Sequence, residues 1–182
     1  MISARLPYHN RIFLNVIKEA IFPAVLILFV KVITLVYLIK AYDLQYFTTP
    51  RGIEFSNFED FVLANNLSSG ITYLVAFSFT SWLVFKAYFL HKTHISPTLS
   101  SWLHFQELEY LISGSLLIYI KASIWLVFLW ILTLLIFIHI TIGLASSWLL
   151  YVCLALSSIL TILLILDFER DLHLYRKRIF SV

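Results

Sequence analysis

Long runs of apolar residues, separated by short polar segments, dominate the chain. Four of these runs are about 20 residues or longer, the length that an α-helix needs to cross a hydrocarbon layer about 30 Å thick. The polar segments offer no point at which a second domain would begin. The pattern predicts a single all-α domain, a polytopic membrane protein in which four transmembrane helices form an antiparallel bundle, over residues 21–42, 70–90, 116–138 and 144–166.

Three shorter patterns predict helices beside these spans. Residues 11–20 are amphipathic, which is typical of a helix at the membrane surface, although an early start of the first span explains them equally well. Ser56 and Glu59 form a capping box that predicts an interfacial helix in the first connection. Ser96 before Pro97 predicts the start of a surface helix ahead of the third span. The last connection is so short that the third and fourth spans are expected to form a tight hairpin.

Composition supports a membrane location. Hydrophobic residues make up 61% of the 182, well above the roughly 45–50% of soluble domains. A soluble fold of this size has too little polar surface to cover so many apolar side chains. We therefore expect a multi-pass integral membrane protein surrounded by membrane lipids.

Basic residues alternate between the two sides of the predicted bundle. Three lie before the first span and four in the C-terminal tail. The second connection has Lys92, with Lys86 just inside the span before it, whereas the first connection has only Arg51 among four acidic residues and the third has none. Because Lys and Arg concentrate in cytoplasmic segments, both termini are expected on the cytoplasmic side. The basic residues at 176–178 are typical of a tail that anchors to anionic lipid, and no nucleic-acid partner is expected.

Lys31 is the residue of the spans that is hardest to explain. It lies about ten residues into the first span, where a lysine costs roughly 2.5–3.5 kcal/mol. Asp and Glu are missing from the central part of every predicted span, and Asp167 is among the nearest, at a span boundary. Three explanations remain open: an acidic intramembrane residue of a partner subunit, a lysine that is neutral or reaches the membrane surface, and a path for an anionic substrate.

A second lysine, Lys121, lies about five residues inside the third span. Its long side chain can reach the head groups on the cytoplasmic side, and Trp125, one turn later, is placed to stack against it. Lys31 and Lys121 are therefore the candidate residues for contact with a partner or substrate.

A metal site is a weaker possibility. His91, His94, His104 and Glu107 follow the spacing H-x₂-H-x₉-H-x₂-E, and imidazole and carboxylate groups are ligands for zinc or iron. On one helix, His104 and Glu107 would share a face because they are three residues apart. The spacing matches no familiar ligand set, so neither a metal nor another cofactor is expected.

Several functions require residues that the sequence lacks. It contains no Gly-rich phosphate loop and no nucleophile elbow, and its single cysteine cannot form an intrachain disulfide. Haem ligation between spans needs pairs of histidines, whereas His139, near the end of its span, is typical of the membrane interface. Rows of small and hydroxyl residues, which are typical of close helix packing, recur at every fourth position: Thr72, Ala76 and Thr80 in the second span, and Cys153, Ser157 and Thr161 in the fourth.

These absences, together with Lys31, favour a non-enzymatic integral membrane subunit or assembly component of a larger membrane protein complex. Its partners are then expected to be membrane proteins with an acidic intramembrane residue. A small transporter or flippase for lipid-linked or anionic substrates is the alternative. A metal-dependent membrane enzyme is the least favoured of the three.

Overall fold

The computed structural model describes residues 8–50, 52–90, 95–108 and 115–180, which form five α-helices and a β-hairpin. Four of these helices are long and apolar enough to cross a membrane, which confirms the predicted all-α polytopic bundle. In chain order the helices are α1 (Tyr8–Ala41), α2 (Phe58–Phe89), α3 (Pro97–Phe105), α4 (Ser115–Thr141) and α5 (Ser147–Phe180).

A short β-hairpin joins α1 to α2. Its strands, β1 (Tyr46–Thr49) and β2 (Gly52–Phe55), are antiparallel. Phe55 packs against Phe61 at the start of α2, with ring centroids 5.7 Å apart. The α4–α5 connection lies at the same end of the bundle because successive spans alternate in direction. We call this the hairpin end, and the opposite end, where α1 begins and α5 ends, the terminal end.

Two helices begin earlier than their apolar runs indicate. α1 continues without a break through residues 11–20 and past Pro23, so the amphipathic segment is the first part of the spanning helix. α2 begins at Phe58 after the N-cap Asn57, so the interfacial helix expected at Ser56 is likewise part of a span. At 1.5 Å per residue α2 is about 48 Å long, which exceeds the hydrocarbon core and lets its polar first turns extend toward the hairpin end.

Two local predictions are confirmed. α3 begins at Pro97, and the carbonyl of Ser96 accepts a hydrogen bond from the amide of Ser100 at 2.9 Å. The connection between α4 and α5 is a tight turn in which Gly143 has a φ of 76°. This left-handed conformation costs glycine little because it has no Cβ.

The central pair of the bundle is α2 and α4, and both α1 and α5 pack against these two helices. The rows of small residues lie at these contacts. Ala76 and Thr80 on α2 are fully buried, as are Cys153 and Ser157 on α5. The close packing predicted for these rows is therefore confirmed.

Buried hydroxyl groups connect three of the spans. The Tyr73 hydroxyl on α2 donates to the carbonyl oxygen of Cys153 at 2.8 Å and lies 2.8 Å from Ser157 Oγ on α5. Ser157 Oγ also lies 3.2 Å from Thr133 Oγ1 on α4. Because lipid offers no hydrogen-bond partners, polar groups within a bundle must be satisfied by the protein. This cluster therefore fixes the relative heights of α2, α4 and α5.

We expect Tyr73→Phe to lower the free energy of unfolding by about 1 kcal/mol, since interhelical hydrogen bonds in membranes average about 0.6 and reach about 1.7 kcal/mol. SDS-induced unfolding of the purified protein in mixed micelles measures this change. Tyr37→Phe is the control, because Tyr37 is exposed on α1. Equal stability of the two variants would show that the hydroxyl cluster does not hold the helices together.

Candidate functional site

The ammonium group of Lys31 lies against the first turns of α2. Nζ donates to Ser69 Oγ at 2.7 Å, to Ser68 Oγ at 2.8 Å and to Asn65 Oδ1 at 3.2 Å. The carbonyl oxygen of Asn65, at 3.4 Å, is a longer fourth contact. An ammonium has three N–H donors, so neutral oxygens of α2 can satisfy all of them. We call Asn65, Ser68 and Ser69 the cradle.

The cradle satisfies the hydrogen bonds of Lys31 but does not neutralise its charge. Every described partner of Nζ is a hydroxyl, a side-chain amide or a backbone carbonyl. Hydrogen bonds to charged groups are worth about 1.5–3 kcal/mol each, so the cradle can offset the roughly 2.5–3.5 kcal/mol cost of a lysine in a span. A lysine held by neutral acceptors of its own chain is an explanation that the sequence analysis did not include.

The cradle residues were missed because they precede the apolar run that predicted the second span at 70–90. Asn65, Ser68 and Ser69 are spaced i, i+3 and i+4, which places them on one face of a helix. Their spacing becomes a signal only if the helix is extended back toward the capping box that the sequence predicts at Ser56. Such an extension would have placed three polar side chains on the face of α2 that packs against α1.

Asn65 connects the cradle to the hairpin end. Its Nδ2 donates to the carbonyl oxygen of Leu144 at 3.0 Å and lies 3.4 Å from Nδ1 of His139. The next residue of α2 also bonds to the α4–α5 connection through its side-chain amide. His139, expected only as an interfacial residue, therefore belongs to the polar cluster that includes Lys31.

A cavity of about 140 Å³ opens beside Lys31, where α1, α2 and α4 meet. Leu28 on α1 and Leu135 on α4 line it and are 67% and 45% exposed. The cavity therefore opens between α1 and α4 onto the outer, lipid-facing surface of the bundle. His139 lines it too. An ammonium and an imidazole in mostly apolar walls make this a space suited to an anionic group.

Lys121 lies in a different part of the bundle. It is near the start of α4, at the terminal end, where Nζ is 3.4 Å from Glu19 Oε1 on α1. Trp125, one turn farther along α4, packs against Phe79 and Phe22 with ring centroids 5.0 and 6.1 Å away. This aromatic cluster lies between the levels of the two lysines, with the Trp125 ring buried in the bundle. The structure thus does not bring them together on one polar path.

The weak metal candidates are not assembled in the described part of the chain. His91 and His94 lie outside the described residues. His104 is in α3, but this helix ends at Phe105, and Glu107 lies in the following turn with a φ of 57°. The prediction that His104 and Glu107 share a helix face was therefore wrong. Within residues 8–50, 52–90, 95–108 and 115–180, no group of three or more His, Cys, Asp and Glu residues could hold a metal ion.

Asp167, which the sequence placed at a span boundary, is a buried carboxylate in the structure. Asp167 on α5 is fully buried, and its Oδ2 accepts a hydrogen bond from the Tyr119 hydroxyl of α4 at 2.9 Å. This pair joins α4 to α5 at the terminal end and lies far from Lys31. The burial of Asp167 against Tyr119 was not predicted, because hydropathy describes each residue alone and not the helix face on which the residue lies.

We expect Ser69→Ala to lower the free energy of unfolding by about 1.5–3 kcal/mol, because it removes an acceptor from a charged donor. In the Lys31→Met protein the same substitution should change the free energy of unfolding little. The difference between the two changes is the coupling energy of a double-mutant cycle. SDS unfolding measures both. Ser78→Ala is the control, since Ser78 is exposed and bonds only within its own helix among the described contacts. If Ser69→Ala lowers the free energy of unfolding equally with and without Lys31, the cradle does not act through the ammonium.

No protein-family model, curated protein or solved structure matches the chain. The functional interpretation therefore depends on the geometry of Lys31, its cradle and the cavity beside them.

Proposed function

We propose that the chain is a non-enzymatic integral membrane subunit, or an assembly component, of a larger membrane protein complex. The observation that supports this proposal is the position of the Lys31 ammonium, held by neutral groups beside a cavity that opens between α1 and α4. A positive charge fixed in this position is a binding site for an acidic intramembrane residue of another subunit.

The cradle favours such pairing because it orders Lys31 without removing its charge. Electrostatic attraction between two charges is several-fold stronger in low-dielectric surroundings than in water. A lysine that is already held in one conformation also loses less side-chain entropy when the pair forms. A carboxylate arriving from the lipid side is therefore stabilised more strongly here than at an aqueous surface.

The cavity gives a partner side chain access to the ammonium. Its volume of about 140 Å³ has room for the carboxylate and methylene groups of Asp or Glu. The carboxylate would replace the longest side-chain contact of Nζ, the 3.2 Å bond to Asn65 Oδ1. Asn65 would keep its bond to Leu144, so the polar cluster at the hairpin end stays intact in the complex.

A small transporter or flippase for anionic substrates is the alternative interpretation of the same charge. The cavity beside Lys31 favours it, since an anionic head group would also bind there. The aromatic cluster of Trp125, Phe79 and Phe22 weighs against a path lined by both Lys31 and Lys121. We therefore retain the role of a complex subunit as the main proposal.

Recovery of partners from native membranes in mild detergent tests this role. We expect the tagged full-length chain to copurify with a membrane protein that has an Asp or Glu within a span. Lys31→Gln should reduce this recovery about tenfold, which corresponds to about 1.4 kcal/mol of binding free energy. Lys40→Gln is the matched control, because Lys40 is exposed at the end of α1.

A charge exchange then identifies the pair. Lys31→Glu should abolish recovery, and replacing the partner's acidic residue by lysine should restore it. Equal recovery with Lys31→Gln and Lys40→Gln would contradict the proposal. Uptake of an anionic substrate into liposomes by the purified chain alone would favour the transporter instead.

A further inference from the structure

A second and larger cavity lies at the junction of α1 and α4, nearer the terminal end. Its volume is about 460 Å³, and it is lined only by residues of these two helices. Val16 and Ala20 contribute from α1, and Ser123 and Val127 from α4. Together with the cavity beside Lys31, it leaves the junction of the two helices incompletely filled along most of its length.

The residues that line the two cavities form one continuous surface on α4. They recur at intervals of three and four residues, the spacing of one helix face. Between the first and the last of them this face is about 28 Å long, close to the roughly 30 Å of a hydrocarbon core. We call this surface, with the facing side of α1, the α1–α4 groove. Its α4 side is centred on Ile120, Ile124, Phe128, Leu132, Leu135 and His139, with Ser123 beside this row in the larger cavity.

We infer that a transmembrane helix of the partner subunit lies along the α1–α4 groove, with its acidic residue facing Lys31. This inference rests on the proposed function and adds the surface on which the partner binds. Charge complementarity at Lys31 places the acidic residue near the hairpin end. Van der Waals packing, which drives the association of helices in lipid, places apolar side chains of the same helix in the larger cavity.

Small residues in the larger cavity allow the partner to approach closely. Ala20 on α1 and Ser123 on α4 both line it. Rows with small side chains let the backbones of neighbouring transmembrane helices come near each other. The groove therefore accepts a helix whose own side chains at this level are bulky.

The distance between the two cavities defines the sequence pattern of the partner. Lys31 and Ala20 are about three turns apart on α1, or about 16 Å. A helix that contacts both cavities carries its Asp or Glu on the same face as a bulky apolar residue about 11 positions away. This pattern can be compared with the sequence of any protein that copurifies through Lys31.

Site-specific photo-crosslinking in the native membrane tests the groove. A photoreactive residue at Ser123 or Leu135 should crosslink to the partner about tenfold more efficiently than one at Ile162. Ile162 is the control because it is exposed on α5, a helix that lines neither cavity.

Filling the larger cavity provides a second measurement. Ala20→Trp should reduce recovery of the partner about tenfold, because the new ring occupies the space of a partner side chain. Ala155→Trp, at an exposed position of α5, should leave recovery unchanged. SDS unfolding of both variants verifies that the bundle still folds.

The outcomes separate this inference from the proposed function. If the partner copurifies but crosslinks at Ile162 and not in the groove, the groove is the wrong surface while the role as a subunit stands. If only lipid crosslinks at Ser123 and Leu135 although the partner is recovered, the inference is also wrong. If no partner depends on Lys31, the proposed function fails and the inference fails with it.

Discussion

Lipid cannot solvate an ammonium group, and the hairpin end of the bundle is arranged around this constraint. α2 provides three neutral side chains for Lys31, and one of them, Asn65, also bonds to the α4–α5 connection. One charged group thus joins α1, α2 and the turn after α4. The polar first turns of α2 have a structural purpose that their composition alone does not reveal.

The spans, the α4–α5 hairpin and the rows of small residues were predictable because each depends on local spacing and length. The start of α2 was not. Asn65 is stabilised within the helix by His139 and Leu144, 74 and 79 positions later in the chain. A pattern read within one segment contains no information about such partners, so these turns resembled part of a polar connection.

The candidate site shows the same division between local and distant effects. The cost of Lys31 in a span follows from its position alone, and the sequence identified it for that reason. The groups that compensate for the charge come from another helix and were not identified. The error at Glu107 was of a different kind, because it assumed that α3 continues beyond Phe105, where the chain turns.

During synthesis, Lys31 is made before the acceptors that surround its ammonium group in the folded bundle. The cradle residues lie 34 to 38 positions after Lys31, so α1 leaves the ribosome before the oxygens that will surround its ammonium. During this interval, insertion of α1 alone into the bilayer costs roughly 2.5–3.5 kcal/mol for its lysine. The placement of the acceptors on α2 therefore favours retention of α1 at the translocation channel until α2 emerges, and entry of the two helices into the bilayer as a pair.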